Sequence, residues 1–324
     1  MRVELLAAIA ALITGLSAPV HAQTPTTPVR AMKITVLSTM LSGNPREGVG
    51  EWGFAALLEA DGQRWLIDTG ARAETVLRNA AELSVDLSTV TDVVITHNHA
   101  DHTGGLITLR RDLSKRNADA LSRVHVAQGI FLSRTGSDGR EANGLLPIKA
   151  EYEALGGRFI EHAGPMRLAP GVWLTGPVPR IHPERNWSGS LRVQMPGGPV
   201  EDNVSEDASV VVDTPNGLVV LSGCGHAGMI NTIEYARKIV RATTVHAAVG
   251  GFHLFAATDD ELAWTAAKLR EYGLGHLLGV HCTGIEAVFR VRQVAGLSRQ
   301  TAVVGAVGSS FTLGAGVDAR SLAK

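Results

Sequence analysis

The segment Thr96-His97-Asn98-His99-Ala100-Asp101-His102-Thr103-Gly104-Gly105 constrains this chain more than any other. It places four potential metal ligands, His97, His99, Asp101 and His102, within six positions. The preceding Val93-Val94-Ile95 reads as a buried strand, and the following Gly pair reads as a turn. Side chains of an extended segment alternate with period two, so His97 and His99 point the same way and can grip one ion. A turn after His99 carries Asp101 and His102 toward a second ion. Imidazole and carboxylate donors suit zinc, with iron and manganese as alternatives. A polar surface loop with chance histidines is the bland alternative. Three histidines and an aspartate at the end of a buried strand argue against it.

The rest of the chain can house such a strand. With 324 residues, 45% apolar and 19% charged, it has globular composition and ample length for a core. The formal charge of −1, without runs of Lys or Arg, offers no electrostatic footprint for nucleic acid. No G-x-S-x-G elbow and no Walker-type phosphate loop is present.

Periodicity predicts strands over 32–39, 93–96, 123–127, 245–249 and 277–280, with hairpins over 54–68 and 209–221, the second turning at Asn216-Gly217. Helices are expected over 73–83, 106–113 and 229–240. Thr258-Asp-Asp-Glu261 is a capping-box pattern opening a helix to Tyr272, and Thr283-Gly-Ile-Glu286 repeats it, opening one to about Val294. A last strand region spans 301–313, and a Gly- and Pro-rich stretch over 136–199 gives no clear pattern. Within it, the segment from Thr175 to Ser188, carrying Arg180, Arg185 and Trp187, is expected either to cover the site and bind an anionic or ring-bearing substrate or to be a solvated loop.

The H-x-H-x-D-H segment resembles the signature of the metallo-β-lactamase superfamily. So do Trp65-Leu66-Ile67-Asp68-Thr69-Gly70 ahead of it and Ser222-Gly223-Cys224-Gly225-His226-Ala227-Gly228, Gly250-Gly251-Phe252-His253-Leu254 and Val280-His281-Cys282-Thr283-Gly284 behind it. The last three look like one branch, described as 7,8-dihydropterin-6-methyl-4-(ribofuranosyl)aminobenzene-phosphate-synthase-like. The resemblance implies an α/β fold: an αββα sandwich of two mixed sheets with helices on the outer faces, its motifs converging in one domain over 32–324. It implies a first metal on His97, His99 and His226, and a second on Asp101, His102 and His281. Asp101 also has a catalytic part, orienting the attacking hydroxide. His253 is an alternative ligand, a hydrogen-bond donor to substrate, or a core histidine. Asp68 supports a ligand from behind, or is an ordinary strand-end aspartate. Many relatives carry a bridging Asp where this chain has Cys224; either Cys224 takes that part or no bridge exists.

Residues 1–22 read as a secretory signal: Arg2, an apolar run from Leu5 to Leu16, and Val20-His21-Ala22 as a cleavage site. Residues 23–31 read as a disordered lead-in. A mature periplasmic or secreted protein, without stable membrane insertion after cleavage, follows as an expectation. Cys224 and Cys282, the only cysteines, could be inert thiols, a disulfide, or metal-binding or reactive groups. The remaining histidines, His125, His162, His182, His246 and His276, are expected to serve structure or surface.

The expected function is that of a dinuclear hydrolase: two divalent ions lower the pKa of a shared water, and the metal-bound hydroxide attacks a small-molecule ester, amide or phosphoester. A β-lactamase or lactonase is the nearest alternative. A metal- or ligand-binding module without catalysis is the alternative of another class.

Overall fold

A computed structural model describes residues 27–321; the expected signal peptide lies outside the described residues. Ordered packing begins before the first strand. Val29 is buried, and its N–H donates to the Asp213 carbonyl. The Asp61 carboxylate accepts from the backbone of Arg30 and Ala31. Residues 29–31, expected in the disordered lead-in, are thus held by the sheets.

Two mixed sheets carry the fold. The first has eight strands in the order Gly316–Asp318, Ser310–Thr312, Met32–Ser38, Ala55–Ala60, Gln63–Ile67, Asp92–Val94, Arg123–Ala127 and Arg158–His162. The second has seven: Ala302–Val304, His276–Gly279, Val245–Gly250, Gly217–Ser222, Ser209–Thr214, Val172–Leu174 and Met166–Ala169. Gln63–Ile67 to Arg158–His162 run parallel in the first sheet, as do Gly217–Ser222 to Ala302–Val304 in the second. Strands covered on both faces read as continuous apolar runs, and Gly217–Ser222 and its antiparallel neighbour Ser209–Thr214 are buried at every position.

The period of two sorts these runs into layers. Val210, Val212, Val219 and Leu221 face the first sheet and meet Ile34, Val36, Leu58, Ile67 and Val94 in the central core. Val211, Leu218 and Val220 face outward onto the helices Met229–Ile239, Asp259–Glu271 and Ile285–Ala295. On the far side Leu57, Leu66, Val93 and Val124 pack under the helices Thr75–Glu82, Leu106–Leu113 and Leu145–Ala154. The αββα arrangement implied by the sequence resemblance is present.

One local expectation is met and three outcomes depart from the sequence pattern. The box at Thr258 forms as expected: Glu261 N–H donates to Thr258 Oγ1 at 3.3 Å and Thr258 N–H to Glu261 Oε2 at 2.7 Å. The matching pattern at Thr283 does not form, because its hydroxyl is used in tertiary structure. It donates to the Gly250 carbonyl at 2.9 Å and accepts from Phe252 N–H at 3.2 Å, so Gly284 opens the helix without a side-chain cap. The last strand region divides: Ala302–Val304 joins the second sheet and Ser310–Thr312 crosses to the first. The patternless middle contains the helix Leu145–Ala154, three strands of the main sheets, and most of a small third sheet made of Arg134–Thr135, Arg192–Met195 and Gly198–Glu201. Beneath that small sheet, fully buried Arg134 pairs with Asp202 at 2.8 Å and Glu206 at 2.5 Å.

Candidate metal centre

Five parallel strands end at the same edge, and the loops after them carry every expected donor. Asp68 follows Gln63–Ile67, and the H-x-H-x-D-H segment follows Asp92–Val94. Cys224 and His226 follow Gly217–Ser222, His253 follows Val245–Gly250, and His281 follows His276–Gly279. Asp68, His253 and His281 all adopt positive φ, of 56°, 48° and 47°, a conformation uncommon for side chains other than glycine. At strand ends that aim donors inward, such strain is the kind a functional site retains.

The rings converge in two groups. His97, His99 and His226 have centroids 4.5, 4.7 and 4.8 Å apart. The short helix Ala100–Thr103 turns Asp101 and His102 toward His281, whose Nε2 lies 3.4 Å from Asp101 Oδ2. His102 links the groups, its ring 4.1 Å from that of His97 and 5.0 Å from that of His281. Ligand atoms of His97, His99 and His226 fall within 4.8 Å of one another, as do those of Asp101, His102 and His281. The six residues thus divide as the motif match implied.

Hydrogen bonds around the rings fix which nitrogen faces inward. His97 Nδ1 is 3.1 Å from Thr96 Oγ1, whose own proton goes to Asp68 Oδ2 at 2.8 Å, so Nδ1 is the donor. His226 Nδ1 donates to the Asn186 carbonyl at 2.5 Å. His102 Nδ1 donates to Asp68 Oδ2 at 2.7 Å. Each ring therefore turns Nε2 into the centre, the arrangement in which outer partners hold metal-ligating histidines. Asp68 also accepts from Thr96 N–H at 2.8 Å, so one carboxylate braces both the loop and His102.

Nε2 of His97 and His226 and both ring nitrogens of His281 are buried without a hydrogen-bond partner. A buried polar atom left bare costs about 1–3 kcal/mol, and a cation among these atoms removes that cost. The donor set therefore fits divalent metal. Electrostatics agree at His97, His99 and His226. Burial, reinforced by neighbouring imidazoles, pushes His97 and His226 well below the ordinary imidazole value, and burial takes His99 to about 4, leaving lone pairs free. Burial opposes protonation of His102 too, but the Asp68 carboxylate outweighs it and lifts this ring to about 9. Burial alone would raise Asp101; its contacts with His281 and His102 hold it well below the usual carboxylate range.

The sulfur atoms of Cys224 and Cys282 lie 3.0 Å apart and are not bonded to each other. Cys224 Sγ is 3.3 Å from His102 Nε2. The segment from Thr175 to Ser188 does cover the site, through Asn186 and its hold on His226. Arg180 corrects the substrate-binding expectation: it turns inward, donating to the carbonyls of Asn203 and Val204 at 2.5 and 3.1 Å. Beside the centre opens a cleft of about 630 Å³, lined by Arg185, Trp187, His253, Phe255 and Trp264 among others. Trp52, half exposed at the rim, sets its ring edge-on to both Phe255 and His281. His125, His162, His182, His246 and His276 join none of the donor groups among the described residues.

Asn186 and Glu184 were not legible beforehand. Glu184 accepts from the N–H groups of Ile230 and Asn231 at 3.0 and 2.8 Å, capping the helix after His226 from a distant loop. No local spacing signals such a cap.

The two sheets and the outer helices have the arrangement of metallo-β-lactamase-fold proteins. The chain is similar to the 7,8-dihydropterin-6-methyl-4-(β-D-ribofuranosyl)-aminobenzene-5'-phosphate synthase of Methanocaldococcus jannaschii, at 29% identity over 79% of this chain and 89% of that protein. Residues 47–119 match the family described as anti-Pycsar protein Apyc1. Among solved structures, Tm1679, described as a metal-dependent hydrolase of the β-lactamase superfamily, superposes with a TM-score of 0.65 at 28% identity, covering 81% of this chain and 92% of its own. The metallo-β-lactamase fold protein YhfI from Bacillus subtilis shares the fold alone, with a TM-score of 0.52 at 13% identity over 87% of this chain and 100% of its own.

Proposed function

We propose that this chain is a dinuclear metal-dependent hydrolase acting on a ring-bearing small molecule with an ester, amide or phosphoester bond. The observation that carries the proposal is the inward convergence of unpartnered Nε2 atoms from His97 and His226 with His281 and Asp101. His97, His99 and His226 would hold one divalent ion, and Asp101, His102 and His281 the other. Zinc suits these donors best, with iron or manganese as alternatives. Bound there, such ions would activate water near neutral pH and polarise the bond to be cleaved.

The chain's own residues do the rest. Asp101 is held ionised by its histidine neighbours and its side chain is partly exposed, so it can accept a hydrogen bond from the attacking water and aim it. Trp187, Phe255 and Trp264 offer ring faces and edges beside the centre, and Arg185, paired with Glu201 at 2.6 Å, lies over the Trp187 ring. A ring-bearing substrate is consistent with the pterin and aminobenzene in the name of the archaeal relative. The completeness of the donor set stands against a module that has lost catalysis.

The test is metal content of untagged protein purified without chelator, followed by a hydrolase screen with the metal found. Close to two ions per chain, lost on Asp101→Ala, supports the proposal. Protein that carries none and takes up none on reconstitution overturns it. Export to the periplasm or medium is part of the same proposal, supported by the character of residues 1–22. N-terminal sequencing of mature protein that finds Met1 intact would reject it.

A further inference from the structure

Beyond the six histidine and aspartate donors lies a second donor group that they do not use. Cys224 and Cys282 are buried, their sulfurs 3.0 Å apart. His253 N–H donates to Cys282 Sγ at 3.3 Å, and His253 Nδ1 is buried with no partner. Ligand atoms of Cys224, His253 and Cys282 lie within 4.8 Å of one another, and Cys224 Sγ is also within that distance of the ligand atoms of His97 and His102. Cys224 therefore belongs to two donor groups at once.

We propose that Cys224, Cys282 and His253 form a thiolate-rich metal subsite joined to the histidine–aspartate centre through Cys224. The inference rests on the reading that this centre holds divalent metal, and adds to it which ion is preferred. Two divalent ions would bring four positive charges into a buried site whose six expected ligands include one carboxylate, Asp101. Thiolates supply the missing negative charge. On binding, each S–H bond breaks, a sulfur–metal bond forms and the proton leaves to solvent, with no change in oxidation state. Sulfur donors favour zinc and other borderline ions over manganese or magnesium. Gly251 leaves room for one of these sulfurs: a side chain there would meet Cys282 Sγ at 2.8 Å.

The experiment uses the whole chain, stripped with chelator and titrated with Co2+ followed by absorption. A site containing thiolate shows, besides the visible d–d bands, an intense near-ultraviolet sulfur-to-cobalt charge-transfer band. The wild-type spectrum alone decides the main point, whether or not a variant folds. Appearance of that band, its loss in Cys224→Ser and its weakening in Cys282→Ser, with unchanged far-ultraviolet circular dichroism, support the proposal. Visible bands without charge transfer overturn the thiolate subsite and leave the hydrolase reading standing. No cobalt uptake at all overturns both.

Discussion

Replacing Asp68 by Asn tests how the centre is held, because the change is nearly isosteric and removes one acceptor. In the wild type Asp68 accepts from Thr96 N–H and Thr96 Oγ1 at 2.8 Å each and from His102 Nδ1 at 2.7 Å. An asparagine has one acceptor oxygen. With that oxygen facing Thr96 N–H, its NH2 group faces Thr96 Oγ1 and His102 Nδ1. The imidazole must then present a lone pair at Nδ1 and move its proton to Nε2, the atom that faces Cys224 and the centre. The lone pair expected to bind the second ion is lost in that tautomer. Outer partners of this kind are worth about 10–100-fold in metal affinity, or roughly 1.4–2.7 kcal/mol. We expect chelator-competition titrations with zinc to show that loss in the weaker of two binding steps, with the step assigned to His97, His99 and His226 changed much less. Thermal melting of metal-free protein separates this from simple unfolding. Two unchanged zinc affinities in Asp68→Asn, together with a lowered melting temperature, would show that Asp68 is only a strand-end brace and refute the argument.

Three further outcomes follow from the structure. Arg134→Met strips two buried carboxylates, Asp202 and Glu206, of their partner. It should cost about 3–5 kcal/mol by denaturant unfolding; a loss under about 1 kcal/mol would mean that the buried pairs behave like surface ones. Burial lifts Glu206 to about 7, despite Arg134, so the folded chain holds a proton there that the unfolded chain releases near the ordinary carboxylate value. The stability from that group is full below the ordinary value and is lost as pH rises through about 7, and Glu206→Gln should flatten the corresponding slope. Zinc added to stripped protein at a hundred times its dissociation constant should stabilise it by about 2.7 kcal/mol; an unmoved melting temperature would count against a preformed centre.

The elements that the sequence displayed best were those set by local periodicity or by a motif with little conformational choice. The strand before His97, the helix over Met229–Ile239 and the box at Thr258 needed only neighbours within a turn or two. Thr258 and Thr283 sit in the same local pattern, yet only Thr258 caps, because Thr283 meets Gly250 and Phe252 some 30 residues away in sequence. The grouping of His97, His99 and His226 against Asp101, His102 and His281 came from motif resemblance, since no spacing brings residue 281 to residue 101. Contact between Cys224 and Cys282 likewise depends on parallel strands ending at one edge. Arg180 read as a ligand for substrate because its charge is visible in the sequence and its carbonyl partners are not. The small sheet over Arg134 was hidden by glycines and prolines that blur alternation, and by a pairing that brings residues 134–135 beside 192–193.

The division of the last strand region has a kinetic meaning. Met32–Ser38, the first strand among the described residues, has the strand Ser310–Thr312 as one of its two neighbours. The first sheet is therefore not closed until nearly the whole chain has left the ribosome. Contacts so distant in sequence slow folding, because loop closure must precede the gain from pairing. A nascent chain of this topology spends its synthesis time incompletely folded, and it exposes the unpaired edge of Met32–Ser38 for longer than a chain whose first strand is satisfied early.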